Sequence, residues 1–190
     1  MQTSSRNLKN MSGSSALVEA IRQSHFHDHD AMVYPDLLTF RRVYSEATKE
    51  ALERNEIVFL ATTYDPFQRV IDSLTHIGVS VNKEAKDGNL IILDAVKAYQ
   101  IDTLGAYKFA QSLVMRAAEE GKAGVFNISD LGSFFLTGRI TRLLPYEQGI
   151  PKKMMDLEFK AICAYHREDF MTLSKEQQET IISSHNRTMR

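Results

Sequence analysis

The sequence predicts a three-layer α/β fold, a mostly parallel sheet with helices on both faces, and three observations lead there. Five short runs are almost wholly apolar, at 31–34, 57–62, 90–93, 123–128 and 159–165. Strands covered on both faces read this way, because neither face alternates with solvent. The stretches between the runs are ten or more residues long and carry apolar residues every three to four positions, as crossover helices between parallel strands require. Finally, 190 residues at 43% apolar and 25% charged content suffice for one full core. We therefore expect a single domain over 16–190 behind a flexible leader at 1–15, which is rich in Ser, Asn and Gln.

Taken in order, Leu17, Val18 and Ile21 predict a short helix over 16–22. The polar segment from His25 to Asp30 then leads into a first strand at 31–34, closed by Pro35, which has no N–H to pair. Leu37, Phe40, Val43, Tyr44, Ala47 and Ala51 predict an amphipathic helix over 36–54, with Asp36 near its start. The second strand is 57–62. Asp65-Pro66 has the cap-then-proline order of a helix start, and Gly78 stops that helix. A short edge strand is expected at 79–81, and after the Asp87-Gly88 turn the run at 90–93 is a strand ending at Asp94. A long helix at 101–120 stops at Gly121, and 123–128 is a strand followed by a Gly-flanked segment ending near Gly138. The remainder reads as a helix at 142–156 despite Pro145 and Pro151, a strand at 159–165 and a capped helix at 174–184.

Composition excludes several functions. The 23 basic and 24 acidic residues nearly cancel, with no run of one sign, so nucleic acid and anionic membranes are not expected partners. No apolar stretch reaches membrane-spanning length, and the first residues lack the apolar core of a secretion signal. One cysteine permits no internal disulfide and fits a reducing, cytoplasmic setting.

The chemistry motifs are mostly missing. A phosphate-cradling loop needs G-x-x-x-x-G-K-[ST] between strand and helix, and the only Gly-Lys pair, Gly121-Lys122, follows a helix and precedes a strand. G-x-G-x-x-G and G-x-S-x-G are also absent, so neither a nucleotide cofactor nor a serine nucleophile is expected. Cys163 lies mid-strand and reads as a small buried hydrophobe. His25, His27 and His29 alternate, and in an extended segment all three would face one side as zinc ligands, the basis of a minority metal-dependent hydrolase reading. The order at 29 and 30, His then Asp, departs from the metallo-β-lactamase motif H-x-H-x-D-H.

Open α/β sheets bind ligands beyond the carboxyl ends of their strands. Asp65, Asp94 and Asp130 follow apolar runs there, Asp65 with the weaker case because a helix cap explains it. Tyr34, Tyr64 and Tyr165 stand at or just past strand ends, where a tyrosine-lined pocket would suit a small, partly apolar ligand. Phe134 and Phe135 are a candidate partner surface, the basis of a third reading as a subunit that binds a regulatory ATPase.

Several segments together resemble the MEDS domain, the methanogen/methylotroph, DcmR-type sensory domain, which is related to the KaiC and RecA-like ATPases. They are His29-Asp30-Ala31-Met32-Val33-Tyr34, Leu90-Ile91-Ile92-Leu93-Asp94 followed by Tyr99, and Ile162-Cys163-Ala164-Tyr165-His166 followed by a closing helix and His185. The resemblance spans about 29–186, and the segment 129–135 looks like archaeal members. It implies a RecA-like core without its phosphate loop that senses small hydrocarbon derivatives and does no catalysis. His29, Tyr34, Asp94, Tyr165 and His185 are the matching positions. With no recognisable output domain in the chain, the signal would leave through a protein partner or a homo-oligomer.

Overall fold

In the computed structural model, which describes residues 13–98, 103–154 and 157–190, six strands form one sheet. They are β1 (His29–Tyr34), β2 (Ile57–Thr62), β3 (Leu90–Asp94), β4 (Val125–Asp130), β5 (Phe159–His166) and β6 (Thr188–Met189). Their order is β3-β2-β4-β5-β1-β6 and every pairing is parallel. Ten helices join them among the described residues: α1 (Gly13–Arg22), α2 (Leu37–Glu53), α3 (Phe67–His76), α4 (Val81–Lys86), α5 (Ala95–Ala98), α6 (Thr103–Glu119), α7 (Gly132–Leu136), α8 (Ile140–Met154), α9 (Arg167–Thr172) and α10 (Lys175–Ser184).

The register gives the sheet a simple rule. His29 pairs with Ala161, Ile57 with Val125 and Val125 with Phe159, so odd-numbered residues of β1 to β5 share one face and even-numbered residues the other. On the even face Met32, Tyr34, Val58, Leu60, Leu90, Phe126, Ile128 and Ile162 pack under α1, α2, α3 and α4. On the odd face Ile57, Val125 and Phe159 meet α6, while Ala31, Val33, Cys163 and Tyr165 meet α7, α8 and α10. Each large side chain so buried contributes about 1.5–3 kcal/mol. This is the expected three-layer arrangement.

The helices form where periodicity and caps agree. Phe40, Val43, Tyr44, Ala47 and Ala51 of α2 are buried on one stripe, and the Asp36 carboxylate accepts the Thr39 N–H at 2.8 Å as the cap. Ser174 opens α10 with a reciprocal capping box to Gln177.

Four local expectations need correction. The segment 79–81 is no strand: after Gly78 (φ +91°) the Val79 N–H donates to Leu74 O and the Val81 N–H to Val79 O, and Val81 opens α4. The Val79 and Val81 N–H groups are thus consumed locally and do not donate to a ladder. Asp65 does not cap α3, because Pro66 holds that position and the Asp65 carboxylate is taken by Arg41 and Tyr44. The segment 25–28 is a turn, with the Asp28 N–H donating to His25 O and His27 at φ +75°, so β1 starts at His29. The helix α1 starts at Gly13, inside the expected leader. Residues 101–102 and 155–156, expected at helix ends, lie outside the described residues.

Candidate functional site

Connections leave β2 toward β3 and β4 toward β5, in opposite directions across the sheet. The switch point, where α/β sheets open a crevice, therefore lies between the carboxyl ends of β2 and β4. Asp130 ends β4 there, fully buried. Its Oδ2 accepts the Thr63 N–H at 3.1 Å and its Oδ1 the Gly132 N–H at 2.9 Å, while the Thr63 hydroxyl donates to Asp130 O at 2.9 Å. Burial pushes the Asp130 carboxyl up to about 6, against the opposing pull of the Gly132, Thr63 and Tyr64 amides.

Tyr34 points at this carboxylate from β1. Its ring is stacked on Phe40 with centroids 4.4 Å apart, and its buried hydroxyl has no partner in hydrogen-bond geometry. Burial, and then the Asp130 charge, push the Tyr34 phenol far up, so it stays neutral and available as a donor. Tyr64 donates to Asp169 Oδ2 at 2.7 Å, and His166 sits edge-on to both Tyr34 and Tyr64, with centroids 5.3 and 6.1 Å away. A Cβ on Gly132 would stand 2.3 Å from Tyr64 Cε2, so only glycine lets the post-β4 turn approach this ring.

On the far side of Thr63 lies a cleft of about 120 Å³, lined by Thr62, Thr63, Asp65, Pro66, Phe67, Leu93 and Asp94. Asp94 is exposed at the end of β3, where its Oδ1 accepts the Val96 N–H at 2.9 Å and so orients the start of α5. Tyr99, expected nearby, lies outside the described residues.

The remaining candidates gather elsewhere. His29 and Tyr165 have odd numbers and point into the opposite layer, where His185 at the end of α10 joins them. The His29 and His185 rings stack at 4.0 Å. Between them enters Glu147 of α8, wholly buried, with Oε2 at 3.2 Å from His29 Nε2 and 3.3 Å from His185 Nε2. The Tyr165 hydroxyl donates to Glu147 Oε1, and Cys163 Sγ is 3.1 Å from His29 Nε2. Burial pushes the Glu147 carboxyl up, yet His185 and His29 outweigh it and hold it well below the usual carboxylate range. His185 is correspondingly raised: burial opposes its charge, and Glu147 more than offsets that. Burial, then Glu147, push the Cys163 thiol up.

Thus the seven candidate residues divide into three places. Tyr34, Tyr64 and Asp130 meet at the switch point, Asp94 lines the adjoining cleft, and His29, Tyr165 and His185 meet inside the other layer. The three tyrosines line no common pocket, because Tyr34 and Tyr165 stand on opposite faces of the sheet. The alternating histidines do not converge either: the His25 side chain is 85% exposed beside Asp28, His27 faces Glu158 at 3.8 Å, and His29 is buried. Phe134 packs in the core against Tyr146 and Phe135 is half-buried, so the apolar patch expected there is not exposed.

Sequence reasoning missed Glu147, His166 and Asp169 as members of these clusters, and gave Cys163 no polar neighbours. A signal for Glu147 existed: it occupies the slot four residues after the fully buried Leu143 on an apolar stripe, a place where an unpaired carboxylate would be costly.

No curated protein matches the chain. The family model of the MEthanogen/methylotroph, DcmR Sensory domain matches residues 28–186, a span that runs from just before β1 past the end of α10 and takes in all seven candidate ligand-binding residues but neither His25 nor His27. The chain belongs to the MEDS family of sensory domains.

Proposed function

We propose that the chain is a non-catalytic sensor that takes a small, partly apolar molecule bearing a hydroxyl or amine in the cleft beside the switch point. The observation that carries this reading is the cleft itself. Its volume of about 120 Å³ is far below that of a drug-sized or nucleotide pocket, whereas an apolar cavity of about 150 Å³ is enough to hold benzene. Phe67, Pro66 and Leu93 supply apolar walls, and Thr62, Thr63 and Asp94 supply the polar groups that would orient one functional group.

The RecA-like core without a phosphate loop fits the all-parallel sheet and the position of the cleft at its carboxyl edge. Thr63 also explains how occupancy is passed on. Its N–H and hydroxyl both bind Asp130, so a ligand that draws on Thr63 competes with the bonds that hold the ends of β2 and β4 together. From there the Gly132 turn, Tyr64 and Asp169 lead to α9. The output then passes to a protein partner or a second copy of the chain.

Calorimetric titration with short-chain alcohols and alkylamines tests the reading. We expect saturable binding of at least one class, abolished in Thr63→Val and weakened at least tenfold in Asp94→Asn, with both variants still folded. Saturable binding of magnesium ATP with no response to either small class would overturn it.

A further inference from the structure

We propose that His29, Glu147, Cys163 and His185 form a closed, tetrahedral binding site for a divalent transition metal, zinc by preference, buried between β1, β5, α8 and α10. Nothing in the sensory role requires it, and it shares no residue with the cleft.

The argument begins with the protons. His185 Nδ1 faces Ile181 O at 2.6 Å and His29 Nδ1 faces Ser184 O at 3.4 Å. A carbonyl oxygen only accepts, so each Nδ1 carries the hydrogen, and in its neutral form each ring turns the lone pair of its Nε2 inward. Both lone pairs then confront Glu147 Oε2, itself an acceptor. Glu147 Oε2 and His185 Nε2 are buried atoms with no partner in hydrogen-bond geometry, although they lie 3.3 Å apart. Acceptors turned inward need positive charge among them, which either a proton on one ring or a metal ion held by all four donors would supply. Protonating both rings would satisfy the lone pairs but would stack two imidazolium ions at 4.0 Å against a single carboxylate.

Distances and donor types agree with a metal. The four donor atoms all lie within 4.8 Å of one another, and all four residues are buried. Zinc bonds of about 2.0–2.2 Å to nitrogen and oxygen place tetrahedral donors about 3.3 Å apart. The two Glu147 to histidine separations are 3.2 and 3.3 Å, the Cys163 sulfur, at 3.1 Å from His29 Nε2, would have to withdraw by about half an ångström, and any pair near the 4.8 Å limit would have to close in. A thiolate, a carboxylate and two neutral imidazoles around a doubly charged ion sum to zero, which suits a site without solvent. The supporting contacts are those of a metal centre as well: backbone carbonyls fix the ring tautomers, and the Tyr165 hydroxyl holds the Glu147 oxygen that faces away from the ion. Four protein donors leave no position for water, so the site would be structural rather than hydrolytic.

The test uses the full chain, purified and reloaded with cobalt(II) after dialysis against a chelator, with zinc content measured in parallel. We expect one equivalent of metal per chain and the visible bands of tetrahedral cobalt with a thiolate charge-transfer band. Cys163→Ser should lose that charge-transfer band, and the His25→Ala/His27→Ala double variant should keep the full spectrum. Folded wild-type protein that takes up less than a tenth of an equivalent from excess zinc would overturn the proposal. An octahedral cobalt spectrum unchanged by Cys163→Ser would overturn it equally, since the metal would then sit elsewhere. Because the wild-type spectrum is decisive alone, a variant that fails to fold does not rescue the idea.

Discussion

Asp130 makes the stability of this domain depend on pH in an unusual direction. A buried carboxyl raised to about 6 from an ordinary 3.8 holds its proton while the unfolded chain has already released it. Between about pH 4 and pH 6 the folded state therefore binds more protons, and stability falls as pH rises through that window. The shift of about 2 units, at about 1.4 kcal/mol each, amounts to about 3 kcal/mol lost by neutral pH. Asp130→Asn stays neutral throughout and has no such slope. Other titrating groups act on both proteins alike, so the informative quantity is the difference between them. Urea unfolding of both at pH 4, 5, 6 and 7 should show the wild type losing about 2.4 kcal/mol of this relative to the variant, since part of the shift lies below pH 4. The absolute offset will include the cost of the new amide, whose NH₂ must face the Thr63 or Gly132 N–H. A difference constant to within about 0.5 kcal/mol would refute the reasoning, by showing that three backbone amides outweigh burial at this carboxylate.

Two further outcomes follow from contacts at the same edge. Gly132→Ala puts a methyl group 2.3 Å from Tyr64 Cε2 and should cost about 1–3 kcal/mol in chemical denaturation. Most of that penalty should vanish in a Tyr64→Ala background, and an additive double mutant would count against the clash. Arg41→Ala strips the bidentate partner, at 2.6 to 2.9 Å, from an Asp65 carboxylate that is wholly buried. With only the Tyr44 hydroxyl left, the variant should lose about 3–5 kcal/mol, and Asp65→Asn combined with it should recover part of the loss.

Much of the fold was legible because its signals are local. The strands at 57–62 and 159–165 announce themselves as unbroken apolar runs, and Asp36 and Ser174 act as caps through atoms three residues away. Where local chemistry competed, the reading slipped. Val79 and Val81 look like strand residues, but the chain turns at Gly78 and spends their backbone bonds within a few residues. Asp65-Pro66 looks like a cap until Arg41, 24 residues earlier, claims the carboxylate.

The sequence by itself determined the layers, the parallel sheet, the residues worth watching and the resemblance to a sensory family, because period, length and motif order are properties of neighbours along the chain. Which of those residues meet was decided only by tertiary structure. His29 and His185 touch across 155 intervening positions, and Glu147 reaches them from a helix whose other buried side chain among the described residues is the apolar Leu143. The strand pairing sends Tyr34 to one side of the sheet and Tyr165 to the other. Register and helix packing set such meetings, and both are fixed by the sum of many long-range contacts that no window of sequence contains.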